Sequence, residues 1–577
     1  MSAVLLLPSA ARAAELEPFF AVKASSINTF VTIAEGVASM AGAANEPGFQ
    51  MALAAVREIR GFNFNGDFGI AIAVTEGDTL SPILLLPITD LANAHIPASP
   101  EVFESIRPFL MRRNAERTDI VTPFGTYAAL QRQGFLVVVP ENIVASLPAD
   151  PRTLFADIQR YTIGVKLDLT KVEFETIENL FAPVMLMVMM TAPEMVEQLE
   201  EMIEMYRALY NEVSAISYGI AVNTQNADVE FSMTMAARAG SDTARAFADY
   251  RPQPTRFGGF RGVPANNVFS FGYSATGTAL PNNNPQMELA RQQWETILEG
   301  ALEQINMDDE TGETGKMAQE AFDTIFAIMD ATTARGAGDY AASFNTDGTL
   351  LLAFDTVSLA DIRNLSLLIY AFARDRMPAG AEDLLDASLG FTNIEGFTVS
   401  SFRLPIVPIL EVFQGPAPDD IPEVFNALAL NGYWAVRDGD TQAIALAVGL
   451  DAAKTEQAFR TALQQTRTAV PVQRPMSVAS VQGLGRYFQQ TIIPIMARAL
   501  EQEPDETVEE VFEQFKRVAA LLASAGDDAV ITMDSTQTPN SITANGRISG
   551  RAIQTIIAAA RLMLEPHLVE RPAMRDF

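Results

Sequence analysis

Short apolar runs along the chain alternate with polar positions, and Gly, Asn and Asp residues separate them two by two, which is the signature of β-hairpins. Two of these hairpins share a literal skeleton. Gly66-Asp67-Phe68 opens a strand, Glu76-Gly77-Asp78 turns it, residues 83–86 return, and Thr89 or Asp90 offers a helix cap. Gly338-Asp339-Tyr340 repeats the opening, with a turn over 345–348, a return over 350–354, and Ser358 as the cap of a helix to Ala371.

The surrounding elements recur in the same order. A strand and two helical stretches precede each hairpin, residues 26–40 and 49–59 in the first case, 287–302 and 316–329 in the second. After each come a second hairpin (126–139; 433–448), a lone strand (162–169; 476–481), a long helical pair, and a closing hairpin with its helix (216–248; 530–564). The Pro-rich Arg251-Pro252-Gln253-Pro254 separates the two series. Hairpins make antiparallel pairs, so the pattern predicts an α+β class: a tandem duplication of an antiparallel-sheet lobe, built from hairpin-plus-helix units with helices packed on one face. The lobes are expected at 15–250 and 251–577, and the 48% apolar content is that of a globular chain.

The first residues and the charge place this fold in a setting. MSAVLLLPSAARAA, residues 1–14, joins an apolar run to an A-x-A-like cleavage site and is expected to be the remnant of a secretory signal peptide. Export to the periplasm or the extracellular space follows. A net charge of −31 argues against nucleic acid as a partner, because phosphate recognition leans on Lys and Arg. The six lysines are Lys23, Lys166, Lys171, Lys316, Lys454 and Lys516, and arginine carries the remaining positive charge. The longest apolar run, residues 180–192, is interrupted by Pro183 and falls short of the ~20 residues that span hydrocarbon, so no transmembrane segment is expected.

Candidate chemistry is sparse. Without cysteine the chain has no disulfide, thiol nucleophile or thiolate metal site. Histidine, the usual base near neutral pH, occurs only as His95, in a loop before Pro97, and His567, in the C-terminal tail. Asp-Thr dipeptides at 78, 242, 323, 355 and 440 resemble the aspartic-protease D-T-G but lack its glycine, and capping of turns and helix starts accounts for them. Gly312-Glu313-Thr314-Gly315-Lys316 ends like a phosphate loop but lacks the loop's first glycine at the required distance. Asp308, Asp309, Glu310 and Glu313 lack EF-hand spacing. Arg107, Arg112, Arg113 and Arg117 form one basic concentration on an expected helix. No catalytic residue, metal centre or cofactor is nominated.

Methionine is the exception. Met185, Met187, Met189 and Met190 are followed by Met195, Met202 and Met205, and Met195, Val196, Leu199, Met202, Ile203, Tyr206 and Leu209 form one helical stripe with Glu194, Glu197, Glu200, Glu201 and Glu204 opposite. Core packing explains such a stripe. Because methionine is flexible and polarizable, Met195, Leu199, Met202, Ile203 and Tyr206 are also the candidate lining of a groove for an apolar ligand.

Four segments carry a resemblance: residues 83–91 (ILLLPITDL), 147–155 (LPADPRTLF), 257–275 (FGGFRGVPANNVFSFGYSA) and 470–488 (VPVQRPMSVASVQGLGRYF). They resemble a group of secreted proteins, numerous in planctomycete bacteria, for which no activity is known. That resemblance implies export and transfers no catalytic or binding residue. The expected function is a non-catalytic exported scaffold or binding protein, with an unknown protein or an apolar small molecule as partner. A lipid-type carrier with a sheet/helix groove and a carboxylate-dependent hydrolase are the two alternatives.

Overall fold

The computed structural model describes residues 16–40, 42–75, 79–90, 117–122, 125–179, 196–277, 337–355, 386–407, 423–437, 442–502 and 506–569, with isolated positions between 316 and 327. The chain divides into two units, Met1–Arg238 and Ala239–Phe577. The Pro-rich stretch therefore lies inside the second unit.

Among the described residues, nine strands build the first unit: β1 (Pro18–Ala24), β2 (Phe68–Thr75), β3 (Thr79–Leu86), β4 (Arg117–Thr122), β5 (Gly125–Arg132), β6 (Phe135–Pro140), β7 (Ile163–Asp168), β8 (Val213–Val222) and β9 (Val229–Ala237). Every pairing is antiparallel, in the order β4–β5–β6–β3–β2–β1–β7–β8–β9. Alternation along β2 shows how the two faces are filled. Ala71 and Ala73 turn inward and are fully buried, while Ile70 and Ile72 point the other way. On the inward face, Ala21, Ile83, Leu85, Val137 and Val139 pack under the 3-10 segment Pro151–Ile158, which supplies Leu154, Phe155 and Ile158. That segment starts at Asp150, whose side chain accepts the Arg152 N–H at 3.0 Å, with Pro151 preset for the first turn. The helices of this unit include α1 (Ile27–Met40), α2 (Pro47–Arg57) and α3 (Val196–Glu212).

The second unit adds β10 (Arg251–Pro252), β11 (Asn267–Thr276), β12 (Ala337–Asn345), β13 (Leu350–Asp355), β14 (Asp386–Ile394), β15 (Phe397–Pro405), β16 (Ala429–Arg437), β17 (Ala443–Gly449), β18 (Ser477–Ser480), β19 (Val530–Gln537) and β20 (Ser541–Ile548). Its order is β14–β15–β16–β17–β13–β12–β11–β18–β19–β20, antiparallel throughout, and β10 pairs with the end of β11. Read outward from β1 and from β11, the two orders agree strand for strand, except that β14 is an extra edge strand.

Among the helices here are α4 (Asp242–Asp249), α5 (Ala452–Gln464), α6 (Val481–Tyr487), α7 (Glu506–Ala523) and α8 (Gly550–Val569). Ala341, Ala353, Ala445 and Ala435 stand directly opposite one another across four strands, all with no exposure. Such small residues leave depth above the sheet for Phe257, Phe260, Phe459 and Leu463 from the 3-10 segment Gly258–Arg261, its flank and α5. The other face carries larger residues, and Phe344 there meets Tyr487 of α6 at 4.9 Å between ring centres. Helices thus cover both faces of the second sheet rather than the one face expected, because its second face is apolar enough to be worth burying.

Candidate functional site

The first unit exposes the feature that best fits a binding role. In register across five strands run Ile70, Val22, Val165, Tyr218 and Met233, all projecting from the face opposite the buried core. Ile70, Tyr218 and Met233 are 49%, 41% and 48% exposed. The next row on this face contributes Ile163, also exposed, beside Ala24, Phe68, Ile220 and Phe231. Isolated exposed apolar side chains are ordinary on a protein surface, whereas a contiguous registered patch marks an interaction site.

Of the methionine stripe, Met195 lies outside the described residues, as do residues 185–190, and Leu199 sits on α3. Ile203 is buried, Met202 is half-buried and Tyr206 is exposed. The helix is anchored by polar and aromatic contacts: Tyr210 donates to the Val172 carbonyl at 2.7 Å, and Arg207 pairs with Glu178 at 3.0 Å. None of the three cavities described next is lined by Met202, Ile203 or Tyr206.

A cavity of about 310 Å³ in the first unit is lined by Pro18, Phe155, Ile158, Lys166, Asp168 and Lys171. Its charges are matched, since Lys166 pairs with Asp157 and Asp168, and Lys171 with Glu17. A second of about 310 Å³, in the second unit, is lined by Tyr250, Pro252, Pro254, Tyr273, Pro471 and Arg474. Burial pushes the Tyr273 hydroxyl well above the ordinary tyrosine value, and the adjoining Tyr250 adds to the rise. A third, of about 210 Å³, shares Arg474 and reaches the buried Arg261 and Asn267.

The second unit also holds a buried carboxylate pair, Asp339 from the strand-opening Gly338-Asp339-Tyr340 and Asp355 from one of the Asp-Thr dipeptides. Asp355 accepts the Asp339 N–H at 2.6 Å, and Asp339 accepts the Thr255 hydroxyl at 2.5 Å and the Arg256 N–H at 2.9 Å. Burial raises the Asp339 carboxyl above its ordinary value. Arg437 falls in the same cross-strand row, opposite Ala443, which stands opposite Asp355. The pair pins residues 255–257 to the sheet and lines none of the three cavities.

Other candidates move or fall outside the described residues. Arg117 opens β4 rather than continuing a helix, and His567 lies on α8 rather than in a tail beyond it. Arg107, Arg112, Arg113, His95, Asp308, Asp309, Glu310 and Glu313 are outside the described residues. Among the described residues no group of His, Asp or Glu is placed to hold a metal ion, and no helix is long and apolar enough to cross a membrane. No family model, curated protein or solved structure matches the chain.

Proposed function

We propose that this is an exported, non-catalytic binding protein that takes an apolar ligand, such as the acyl chain of a lipid, on the open sheet face of its first unit. The registered row Ile70–Val22–Val165–Tyr218–Met233 carries the reading. Its exposed members sit on strands whose opposite face carries the buried core of the unit, so the backbone holds the patch in place without help from the ligand. The signal-like residues 1–14 and the resemblance to secreted proteins support export. The matching strand orders support an origin in two copies of one lobe, of which only the first would keep this face open.

A fluorescent fatty acid and native mass spectrometry of the protein from its own source test the reading. Retained lipid mass and saturable probe binding are expected. Ile70→Glu combined with Met233→Glu, both on exposed positions, should abolish probe binding while leaving the circular dichroism unchanged. A homogeneous bare mass together with no probe binding would sink the carrier role.

A further inference from the structure

Each unit contains a buried cation that clamps the chain just before its lone strand. In the first, Lys23 donates to the carbonyls of Gln159 at 3.0 Å and Tyr161 at 2.6 Å, four and two residues before Ile163 of β7. In the second, Arg261 donates to the carbonyls of Gln473 at 2.6 Å and Pro475 at 2.9 Å, four and two residues before Ser477 of β18. The clamps differ in one respect. Lys23 has a counter-ion, Asp67, at 3.2 Å. Arg261, only 7% exposed, gives its terminal nitrogens to neutral carbonyls, and its Nε–H has no partner among the described residues. Where the first unit has a carboxylate, the second has a cavity.

That cavity, about 210 Å³, is lined by Arg261, Gly262, Asn267, Ser270, Arg474 and Pro475 among others, and no carboxylate is among its lining residues. A guanidinium taken out of water without a counter-charge is costly, and its desolvation lowers the proton affinity of Arg261. Asn267, 4% exposed, donates Nδ2–H to the Arg261 carbonyl at 2.6 Å, which fixes its amide so that Oδ1 is left without a donor. The oxygens of Ser343 and Asn345, also buried without partners, gather with Asn267 Oδ1 at Gly262. Gly262 has φ of +65°, and any Cβ there would run into all three oxygens. The unmet needs are therefore a negative charge for Arg261 and an O–H donor for Asn267.

The geometry points to a binding site for a small oxyanion that carries a hydroxyl, either a short hydroxycarboxylate or hydrogen phosphate. The volume suits it, since water takes up about 30 Å³ per molecule in the liquid and such an anion displaces only a few. Arg474, half exposed at the rim and paired with Asp534 at 2.9 Å, supplies the second positive charge on entry.

Titration calorimetry on the full chain at matched ionic strength tests the site with lactate against propionate and phosphate against sulfate. Saturable binding is expected for lactate or for phosphate, and whichever binds identifies the source of the anion. The partner lacking a hydroxyl should bind about tenfold or more weaker, the effect of one hydrogen bond to a buried acceptor. Arg474→Gln, at a half-exposed position, should weaken binding by a similar factor with native circular dichroism. Indifference of the protein to all four anions beyond the effect of chloride would overturn the site, as would unchanged binding in folded Arg474→Gln.

Discussion

At the scale of single residues, the fold depends on buried polar groups whose partners come from far along the chain. Lys23, next to the end of β1, is 3% exposed and holds Asp67, the Gln159 carbonyl and the Tyr161 carbonyl together. Lys23→Met should lower stability by about 3 kcal/mol or more, because it strips Asp67 of its cation and removes the lysine's hydrogen bonds to the Gln159 and Tyr161 carbonyls, and urea unfolding measures the loss. Gly69 works by absence. A Cβ there would enter the ring of Phe155, so Gly69→Ala is expected to cost about 1–3 kcal/mol by overpacking, seen as a lower urea midpoint at unchanged slope. Asp339 sets a pH dependence. With its carboxyl raised by burial above the ordinary 3.8, the folded state favours the protonated acid. Its contribution is then fully present below 3.8 and lost as pH climbs through the raised value. Asp339→Asn cannot ionise, so its stability relative to wild type should rise with pH over that window in urea midpoints taken at several pH values.

At the scale of elements, a single side chain sets where a helix begins. Asp451 accepts the Lys454 N–H at 3.1 Å at the head of α5, and Asp451→Ala should cost about 1 kcal/mol, measured by thermal unfolding. Both GD[FY] hairpins, the lone strands β7 and β18 and the closing hairpins β8–β9 and β19–β20 were legible because turn residues and period-two alternation coincide there. The hairpin β14–β15 was not. Its turn places Glu395 at φ of +55° and Gly396 at +80°, a primed turn for which Asn-Gly or Asp-Gly is the usual signal, and Glu gives none. Strand β4 was hidden by the run of arginines before it, which reads equally well as a polar helix face. The sheet patch was half legible: the alternation of β2 and β8 shows which residues share a face, but only the register between strands aligns Ile70 with Tyr218 and Met233. The Arg261 cavity left no trace in the sequence, since Gln473 and Pro475 lie more than two hundred positions from the side chain that binds them.

At the scale of the whole molecule, 71 acidic residues face 40 basic ones. Several basic side chains are engaged in ion pairs, as in Arg207–Glu178, Arg460–Glu456 and Lys516–Glu513, and the acids outnumber all the bases, so the surplus acids repel one another. Surface ion pairs of this kind contribute little each, and the summed repulsion favours the expanded chain. Screening should therefore stabilise the protein. Between about 0.01 and 0.15 M sodium chloride the Debye length falls from about 30 to 8 Å, and the melting temperature should rise over that interval and then level off. A gain of a few degrees is expected, about what 1–2 kcal/mol gives for units of this size. A melting temperature indifferent to salt would mean that the acids are spaced too widely to strain the fold. The same series separates general screening from occupancy of the Arg261 cavity. Screening depends on ionic strength alone, whereas replacing chloride by phosphate or lactate at constant ionic strength should add a further shift that saturates and that Arg474→Gln moves to about tenfold higher anion concentration.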